Sequence, residues 1–176
     1  MPTDRLPDFE TPRLRVTHWM EVLADPAQRA ALEIALDAIL TSQVLAPLPT
    51  SFHRAGGSSV STWIEARAAE SDVYLVSLRT GSSEVVGLMI LADIVSDAGR
   101  DMHLGYLMAQ GVWGRGYASE LVAGLVDQAV GLGPLRLLAG VAEDNPASAK
   151  VLEKRGFRRD PSLETGAMHV FALTLP

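Results

Sequence analysis

The chain has 176 residues, 48% of them hydrophobic, which is enough for one substantial core and short for two, so we predict a single domain over residues 1–176. The absence of cysteine excludes disulfides, thiolate zinc sites and thiol nucleophiles, and four scattered histidines lack paired ligand spacing, which argues against a metal. A formal charge of −6 disfavours nucleic-acid binding. Neither a signal segment nor an apolar run of roughly 18 residues is present, so we expect a cytoplasmic protein without a membrane partner.

The first seventy residues combine one short strand with two helices. The segment Leu14–His18 alternates in polarity as a strand does. Asp25 followed by Pro26 is an N-cap with proline at the first helical position, which predicts a helix from Pro26 to about Leu40. A second helix is expected over Val60–Ala69, after a serine N-cap. The proline- and glycine-containing stretch between the two helices is predicted to be a loop.

Strands dominate the middle of the chain, and strands and helices alternate after it. An antiparallel meander followed by a β-α-β-α unit predicts a mixed sheet flanked by helices, of the α/β (α+β) class. The predicted strands are Val73–Leu78, Glu84–Ile94, Met102–Met108, Leu135–Val141 and Ala167–Thr174, and the predicted helices are Arg115–Val130 and Pro146–Arg155.

A glycine-rich turn joins the strand Met102–Met108 to the next helix. Gly114, Arg115 and Gly116 follow the strand, and the helix after them carries a broad apolar face. Glycine permits a tight turn and a close approach to an anion, and the free N–H groups at a helix N-terminus favour phosphate. An isolated Gly-x-Gly turn is more often a simple connection, so a second signal is needed to support a phosphate site.

Two nucleotide-binding alternatives fit this turn less well. A P-loop would need Gly-Lys-Ser or Gly-Lys-Thr, and neither follows. A dinucleotide site would use Gly114 and Gly116 with Glu143 as the ribose ligand, but Ser119 stands where the third glycine is expected. About a hundred residues precede the turn and little more than thirty follow Glu143, so a doubly wound sheet does not fit.

The second signal lies some thirty residues further along the chain. Asn145 suits a helix N-cap, Pro146 the first helical position and Gly156 the helix end, within the segment Glu143-Asp-Asn-Pro-Ala-Ser-Ala-Lys-Val-Leu-Glu-Lys-Arg-Gly-Phe157. Together with Trp113-Gly-Arg-Gly-Tyr-Ala-Ser-Glu120, this segment closely resembles the GNAT superfamily of N-acetyltransferases. Three further features resemble the branch that includes ribosomal-protein N-terminal acetyltransferases. They are Thr11-Pro-Arg-Leu-Arg15, Leu104-Gly-Tyr106, and Asn-x-x-Ser before Leu-Glu-Lys-x-Gly-Phe.

This resemblance implies a fold and a reaction. The expected fold is a single mixed, mostly antiparallel sheet that splays between the two parallel strands Met102–Met108 and Leu135–Val141. Acetyl-CoA would lie in the splay as a co-substrate. The acceptor would be a primary amine, either a protein N-terminus or a small molecule, attacking directly in a ternary complex. Relatives often pair as homodimers, so a homodimer is one assembly that the resemblance leaves open, and the sequence itself does not identify the oligomeric state.

Backbone N–H groups are the expected coenzyme ligands. The position three before Gly114, often arginine or glutamine in the superfamily, is Gly111 here. We therefore predict that the pyrophosphate binds backbone N–H groups of the turn, with help from Arg115. Asn145 and Ser148 are predicted to contact the pantetheine arm. Backbone N–H groups of the splayed strand are predicted to donate hydrogen bonds to the oxyanion that forms during the reaction. The predicted cofactor-binding residues are Leu107, Met108, Gly114, Arg115, Gly116, Tyr117, Ala118, Asn145 and Ser148.

His103 and Ser148 are the predicted catalytic residues. A free amine is mostly an ammonium ion at neutral pH, so a base or an ordered water chain must remove a proton before attack. His103 stands where members of the branch often have glutamate, and an imidazole is suited to this work. Ser148 is predicted to hydrogen-bond the leaving thiol or relay a proton to it. The tyrosine that many relatives carry for that role is Leu152 here.

The missing tyrosine and glutamate leave a second function open, that of a non-catalytic acyl-CoA-binding module.

Several nearby residues have simpler expected roles. Trp113 is expected to pack beside the turn, and Glu120 to lie on the solvated face of its helix. Tyr106 is interpreted as a core residue or as part of the acceptor pocket.

Overall fold

A computed structural model describes residues 5–54, 56–81, 83–97 and 99–176 of the chain. Its centre is one eight-stranded sheet. The strands are β1 (Phe9–Glu10), β2 (Leu14–His18), β3 (Asp72–Leu78), β4 (Val85–Ser96), β5 (Gly99–Met108), β6 (Leu135–Ala142), β7 (Arg158–Arg159) and β8 (Met168–Leu175). Their spatial order is β1-β2-β3-β4-β5-β6-β8-β7, in which β5 and β6 form the parallel pair and the other neighbours are antiparallel.

Helices cover both faces of this sheet. They are α1 (Met20–Ala24), α2 (Pro26–Ile39), α3 (Ser42–Leu45), α4 (Val60–Glu70), α5 (Tyr117–Ala129) and α6 (Pro146–Glu153). Apolar side chains of α5 and α6 form one buried cluster with one face of the sheet, and those of α2, α3 and α4 form a second cluster with the other face. Alternate residues of a strand point to opposite faces, so β4 and β5 contribute to both clusters. Within the described ranges, every helix is too short or too polar to cross a lipid bilayer.

Local capping explains where the main helices begin. The Asp25 carboxylate accepts hydrogen bonds from the backbone N–H groups of Ala27 and Gln28, each at 2.9 Å, and Pro26 occupies the first turn of α2. The Asn145 side chain accepts from the Ser148 N–H group at 3.2 Å in the same way at the start of α6. Both helices therefore begin where the sequence predicts.

The sheet opens between β5 and β6. Only three residue pairs join these two strands, and the last of them is His103 with Leu138. At the other end the Arg136 guanidinium donates to both carboxylate oxygens of Asp101, at 2.9 and 2.8 Å, across the first pair. Beyond His103 the strands separate, so that their facing backbone edges border a cleft. The predicted splay is confirmed.

Every long predicted element is present, with ends that differ by a few residues. The mixed, mostly antiparallel sheet is confirmed, and the helix predicted to begin at Arg115 begins at Tyr117 because Gly116 is its left-handed N-cap. Among the described strands and α-helices, four short ones were not predicted: β1, β7, α1 and α3. Each has five residues or fewer, too few to show a hydrophobic period.

Candidate active site

The cleft between the separated ends of β5 and β6 has a volume of about 1000 Å³. Its floor is the strand segment after His103, with the start of α5 on one side and α6 on the other. The helical segment from α3 through Phe52 and the end of α4 closes the opposite end. The structure thus brings the two predicted motifs and the early helices to one cavity.

The glycine-rich turn forms one end of this cleft. Gly114 and Gly116 have φ angles of +74° and +80°, a region that side chains with a Cβ rarely adopt. Gly116 is the N-cap of α5 and supplies no side-chain cap, so the first N–H groups of the helix have no side-chain acceptor at the cap. Gly114, Gly116, Tyr117 and Ala118 all line the cleft. Arg115 is exposed beside them and is absent from the described lining.

A polar bracket made by Thr11, Arg13 and Glu120 holds this turn from outside the cleft. The Glu120 carboxylate accepts from the Thr11 hydroxyl at 2.5 Å and from the Arg13 backbone N–H and Nε at 2.7 and 2.6 Å. Arg13 also donates to the Arg115 carbonyl at 2.9 Å, and its guanidinium lies 4.5 Å from the centre of the Tyr117 ring. The turn is therefore anchored to the segment between β1 and β2.

The prediction that Glu120 lies on a solvated helix face is wrong. Its side chain is 13% exposed, and burial works to raise its pKa. Hydrogen bonds from Thr11 and Arg13 outweigh burial and hold the pKa of the Glu120 carboxyl below its ordinary value. Thr11 and Arg13 lie far from Glu120 in the chain, so the periodicity of α5 does not reveal their contact with it.

Tyr106 and Ser148 meet across the cleft. The Tyr106 Oη and Ser148 Oγ atoms lie 2.6 Å apart, joining β5 to the first turn of α6. Burial raises the pKa of the Tyr106 phenol, and the hydrogen bond with Ser148 opposes this shift only in part, so the phenol keeps its proton at neutral pH. Sequence reasoning placed Tyr106 in the core or the acceptor pocket and missed this partner, which no local pattern encodes.

His103 lies where the two strands part. Its side chain is exposed, lines the cleft, and makes no hydrogen bond within the described part of the chain. The residue pairs with Ala92 of β4 and Leu138 of β6, and it shares a sheet face with the cluster formed by α2, α3 and α4. No group of three or more His, Cys, Asp or Glu side chains in the described ranges is placed to hold a metal ion.

The backbone of β5 presents a donor to the cleft at Met108. The Ala109 N–H donates to the Val86 carbonyl at 2.7 Å, and Leu107 stands opposite Leu88. Bonded and non-bonded pairs alternate along an antiparallel ladder, so the Leu107 N–H is directed toward β4. The Met108 N–H is directed to the side from which β6 has separated. Of the two strand residues predicted to donate, only Met108 therefore directs its N–H group into the cleft, although both line it.

Four residues named in the sequence analysis are placed as follows. Asn145 and Ser148 line the cleft from α6, and the Asn145 side chain is committed to capping that helix. Trp113 packs beside the turn as predicted, with Nε1 donating to the Met108 carbonyl at 2.8 Å. Leu152, at the position where many relatives have tyrosine, is fully buried and contributes no polar group to the cleft.

A buried arginine organises the far end of the cleft. Arg67 is 4% exposed, and its guanidinium lies 4.5 Å from the centre of the Phe52 ring. It donates to the Ser51 carbonyl at 3.0 Å and to the Glu70 carboxylate at 3.2 Å, while Trp63 Nε1 donates to the Phe52 carbonyl at 2.7 Å. The loop predicted between the helices is thus pinned to α4. Sequence reasoning did not single out Arg67 or Glu70.

Comparison with known proteins agrees with this geometry. A family model described as an acetyltransferase (GNAT) domain matches residues 15–158. An acetyltransferase from Agrobacterium tumefaciens is 20% identical, with a TM-score of 0.68 over 96% of this chain and 95% of that one. RimJ of Mycobacterium smegmatis in complex with CoA-disulfide is 22% identical, with a TM-score of 0.66 over 95% and 86%.

A further similar structure comes from the ribosomal branch. It is an acetyltransferase from Salmonella typhimurium that modifies the N-terminal serine of a 50S ribosomal subunit protein, 17% identical with a TM-score of 0.66 over 94% and 97% of the two chains. The sheet splayed at a parallel pair, with a glycine turn that opens a helix onto the splay, is the fold of these acetyltransferases. The chain belongs to the GNAT family of acetyltransferases and is an N-acetyltransferase enzyme.

Proposed function

We propose that the enzyme transfers the acetyl group of acetyl-CoA to a primary amine, on a protein N-terminus or a small molecule, by direct attack in a ternary complex. One observation carries this proposal: the uncapped N-terminus of α5 opens onto the same cleft as the unpaired edges of β5 and β6. The first feature suits a pyrophosphate, and the second suits the amide-bearing arm that follows it. Family membership and the similar fold of RimJ with bound CoA-disulfide support the same ligand.

The residues present fit acetyl-CoA without a lysine or arginine in the described cleft lining. We assign the pyrophosphate to backbone N–H groups at Gly114, Gly116, Tyr117 and Ala118, because two left-handed glycines and the helix terminus direct them outward. Arg115, exposed next to the turn, adds positive charge at its rim.

The remaining coenzyme contacts are assigned to the strand and to α6. The Met108 N–H lies at the unpaired edge of β5, where it would stabilise negative charge on the thioester oxygen. The Leu107 side chain forms part of the apolar wall beside it. Asn145 and Ser148 face the pantetheine arm from the start of α6. Acetyl-CoA, when bound, supplies an acyl group activated as a thioester.

His103 is the proposed general base. It is the imidazole of β5 that lines the cleft, and it lies on the sheet face that carries the early helices. An imidazole removes a proton from an ammonium ion efficiently near neutral pH. His103→Ala should lower kcat/KM and flatten its acidic limb. Unchanged turnover and pH dependence would assign the proton transfer to water instead.

Ser148 is the proposed donor to the leaving sulfur, and Tyr106 holds it in place. A phenol is the stronger donor of the two hydroxyls, so Tyr106 donates to Ser148 Oγ and leaves the serine hydrogen free to point into the cleft. Ser148 Oγ–H then donates to the sulfur as the carbon–sulfur bond breaks. This arrangement supplies a hydroxyl where Leu152 supplies none.

The competing function is a non-catalytic acyl-CoA-binding module. Titration calorimetry with acetyl-CoA tests the premise that both functions share, and NADH serves as the control ligand. Release of free CoA thiol across a panel of amines then separates enzyme from binder. Binding of NADH without binding of acetyl-CoA would reject both functions.

We further propose that residues 1–176 form one catalytic domain that works in the cytoplasm as a homodimer. The family match covers residues 15–158, and the eight-stranded sheet takes in strands from Phe9 to Leu175. Relatives that pair as homodimers support the assembly. Light scattering of the purified chain measures its mass in solution.

A further inference from the structure

The half of the cleft remote from the glycine turn, here called the acceptor half, is walled by apolar side chains. Among the described lining residues, Glu70 is the one acidic side chain and His103 the one histidine, and the described lining contains no lysine or arginine. The apolar wall consists of Val44, Pro47, Leu48, Phe52, Ile90 and Ile94.

Arg67 fixes this wall without presenting its charge to the cleft. Its guanidinium is buried, stacks on Phe52 and donates to Ser51 and Glu70. The Arg67 guanidinium therefore holds the apolar wall in place from the side away from the cleft. The Glu70 side chain remains 66% exposed at the edge of the cleft. The two charges of the Arg67–Glu70 pair partly offset each other, and the Glu70 carboxylate is the member that an incoming acceptor meets.

The sheet register places Glu70 near His103. Ser71 precedes β3, whose first residue Asp72 pairs with Leu91, and the next residue of β4, Ala92, pairs with His103. Neighbouring strands lie about 4.8 Å apart, so Ser71, the residue that follows Glu70, lies about 10 Å from His103 across two strand spacings. An amine approaching His103 passes a carboxylate at a distance where the two charges still attract.

We propose that the acceptor is a primary amine joined to an apolar, uncharged group, with no carboxylate or phosphate beside the amine. This inference rests on the proposed acetyl transfer and narrows its substrate. The ammonium form is attracted by Glu70, and the apolar body displaces water from the wall. A carboxylate next to the amine would be desolvated without a cation to pair with it, which is costly.

Three matched acceptors test the inference directly. Phenethylamine, phenylalaninamide and phenylalanine share a ring and a primary amine but carry hydrogen, a neutral amide or a carboxylate beside it. The first two should be acetylated, and phenylalanine should have a kcat/KM at least about tenfold lower. Rates are expressed per unprotonated amine, because the neighbouring group also changes the pKa of the amine. Peptide amides beginning with Leu, Asp or Lys separate peptide from small-molecule acceptors, and Leu should be preferred.

Glu70→Gln tests the electrostatic part, with Glu65→Gln as its matched control. Both glutamates lie on α4, and each pairs with an arginine. Glu65 is 68% exposed, pairs with Arg29 at 3.3 Å and lies outside the described cleft lining. Glu70→Gln should raise the KM for phenethylamine about three- to tenfold, a range expected for charges about 10 Å apart near a surface. The dissociation constant of acetyl-CoA should not change, and Glu65→Gln should leave both constants unchanged.

The outcomes separate this inference from the proposed function. Failure to bind acetyl-CoA, or to release thiol with any amine, rejects the acetyl transfer and the inference with it. Transfer that favours phenylalanine or the Asp peptide rejects the inference while leaving the acetyl transfer intact. Equal behaviour of the Glu70 and Glu65 variants rejects the proposed role of Glu70.

Discussion

The hydroxyl oxygens of Tyr106 and Ser148 lie 2.6 Å apart, so that a tyrosine of β5 reaches across the cleft to the first turn of α6. Leu152, about one helical turn after Ser148, is buried where many relatives have tyrosine. The chain thus brings a phenol to α6 from a neighbouring strand rather than from the helix itself. The pair supplies the cleft with hydroxyl groups whose protons are retained at neutral pH.

Tyr106→Phe and Ser148→Ala should each lower kcat by about tenfold or more, because general-acid assistance contributes on this scale. The two hydroxyls act as one unit, so the double variant should be little slower than either single variant. The dissociation constant of acetyl-CoA should change less than kcat does in all three. Steady-state kinetics and calorimetry measure both quantities.

Tyr74→Phe is the control for the loss of a buried tyrosine hydroxyl. Tyr74 donates to the Leu6 carbonyl at 2.7 Å, in a region outside the described cleft lining. It should lower thermal stability and leave kcat unchanged. Additive losses in the Tyr106 and Ser148 double variant would show that the two hydroxyls work separately.

Gly116→Ala should weaken acetyl-CoA binding about tenfold. A φ of +80° costs a residue with a Cβ about 1–2 kcal/mol, and relief of that strain would redirect the N–H groups that begin α5. Gly131→Ala is the matched control, because a Cβ there meets open space and no positive φ is required. Calorimetric titration of both variants checks the difference. Equal affinities would remove the turn from the pyrophosphate site.

The sequence predicts elements whose signals are local and misses contacts between distant segments. The start of α2 follows from Asp25 and Pro26 alone, because both the cap and the fixed proline φ act within one turn. The hydrogen bond between Thr11 and Glu120 joins residues 109 positions apart, and the periodicity of a helix gives no indication of such a contact. The sequence therefore predicted the glycine turn but not the bracket that holds it.

The same distinction applies to the site. Glycines and caps marked the coenzyme half of the cleft, because a phosphate site built from backbone uses residue types that are visible in one short segment. The acceptor half depends on Arg67 reaching the Phe52 ring and on Glu70 reaching the cleft edge. These contacts follow from the packing of α4 against a loop, and packing partners are not encoded in local periodicity.

Glu120→Gln should lower the free energy of unfolding by about 1–2 kcal/mol, because Thr11 and Arg13 lose a charged acceptor. The KM for acetyl-CoA should also rise, since Arg13 holds the turn through the Arg115 carbonyl. Glu33→Gln breaks a surface pair with Arg29 and should change stability by a few tenths of a kcal/mol, about the usual value for such pairs. Denaturant unfolding compares the two variants. A Glu120 variant as stable as the Glu33 variant would contradict the bracket.

His18 should make the fold less stable in mild acid. Its ring is buried among Tyr74, Arg5 and Asp72, and burial, followed by the Arg5 charge, lowers its pKa despite the opposing effect of Asp72. The unfolded chain therefore binds a proton at a higher pH than the folded chain does. Stability is complete above the unfolded pKa of about 6.5 and is lost as the pH falls toward the folded pKa, by up to about 1.4 kcal/mol per pH unit.

Unfolding free energies measured between about pH 8 and pH 5.5, where histidine is the side chain expected to titrate, should reveal this slope in the native chain. His18→Gln removes the titrating ring, so its own stability should change less over the same interval even if it is lower throughout. His53→Gln removes an exposed histidine and retains His18, so the native slope should persist. A native chain whose stability is flat over this interval, or a His18 variant with an unchanged slope, would show that the buried ring does not control stability in mild acid.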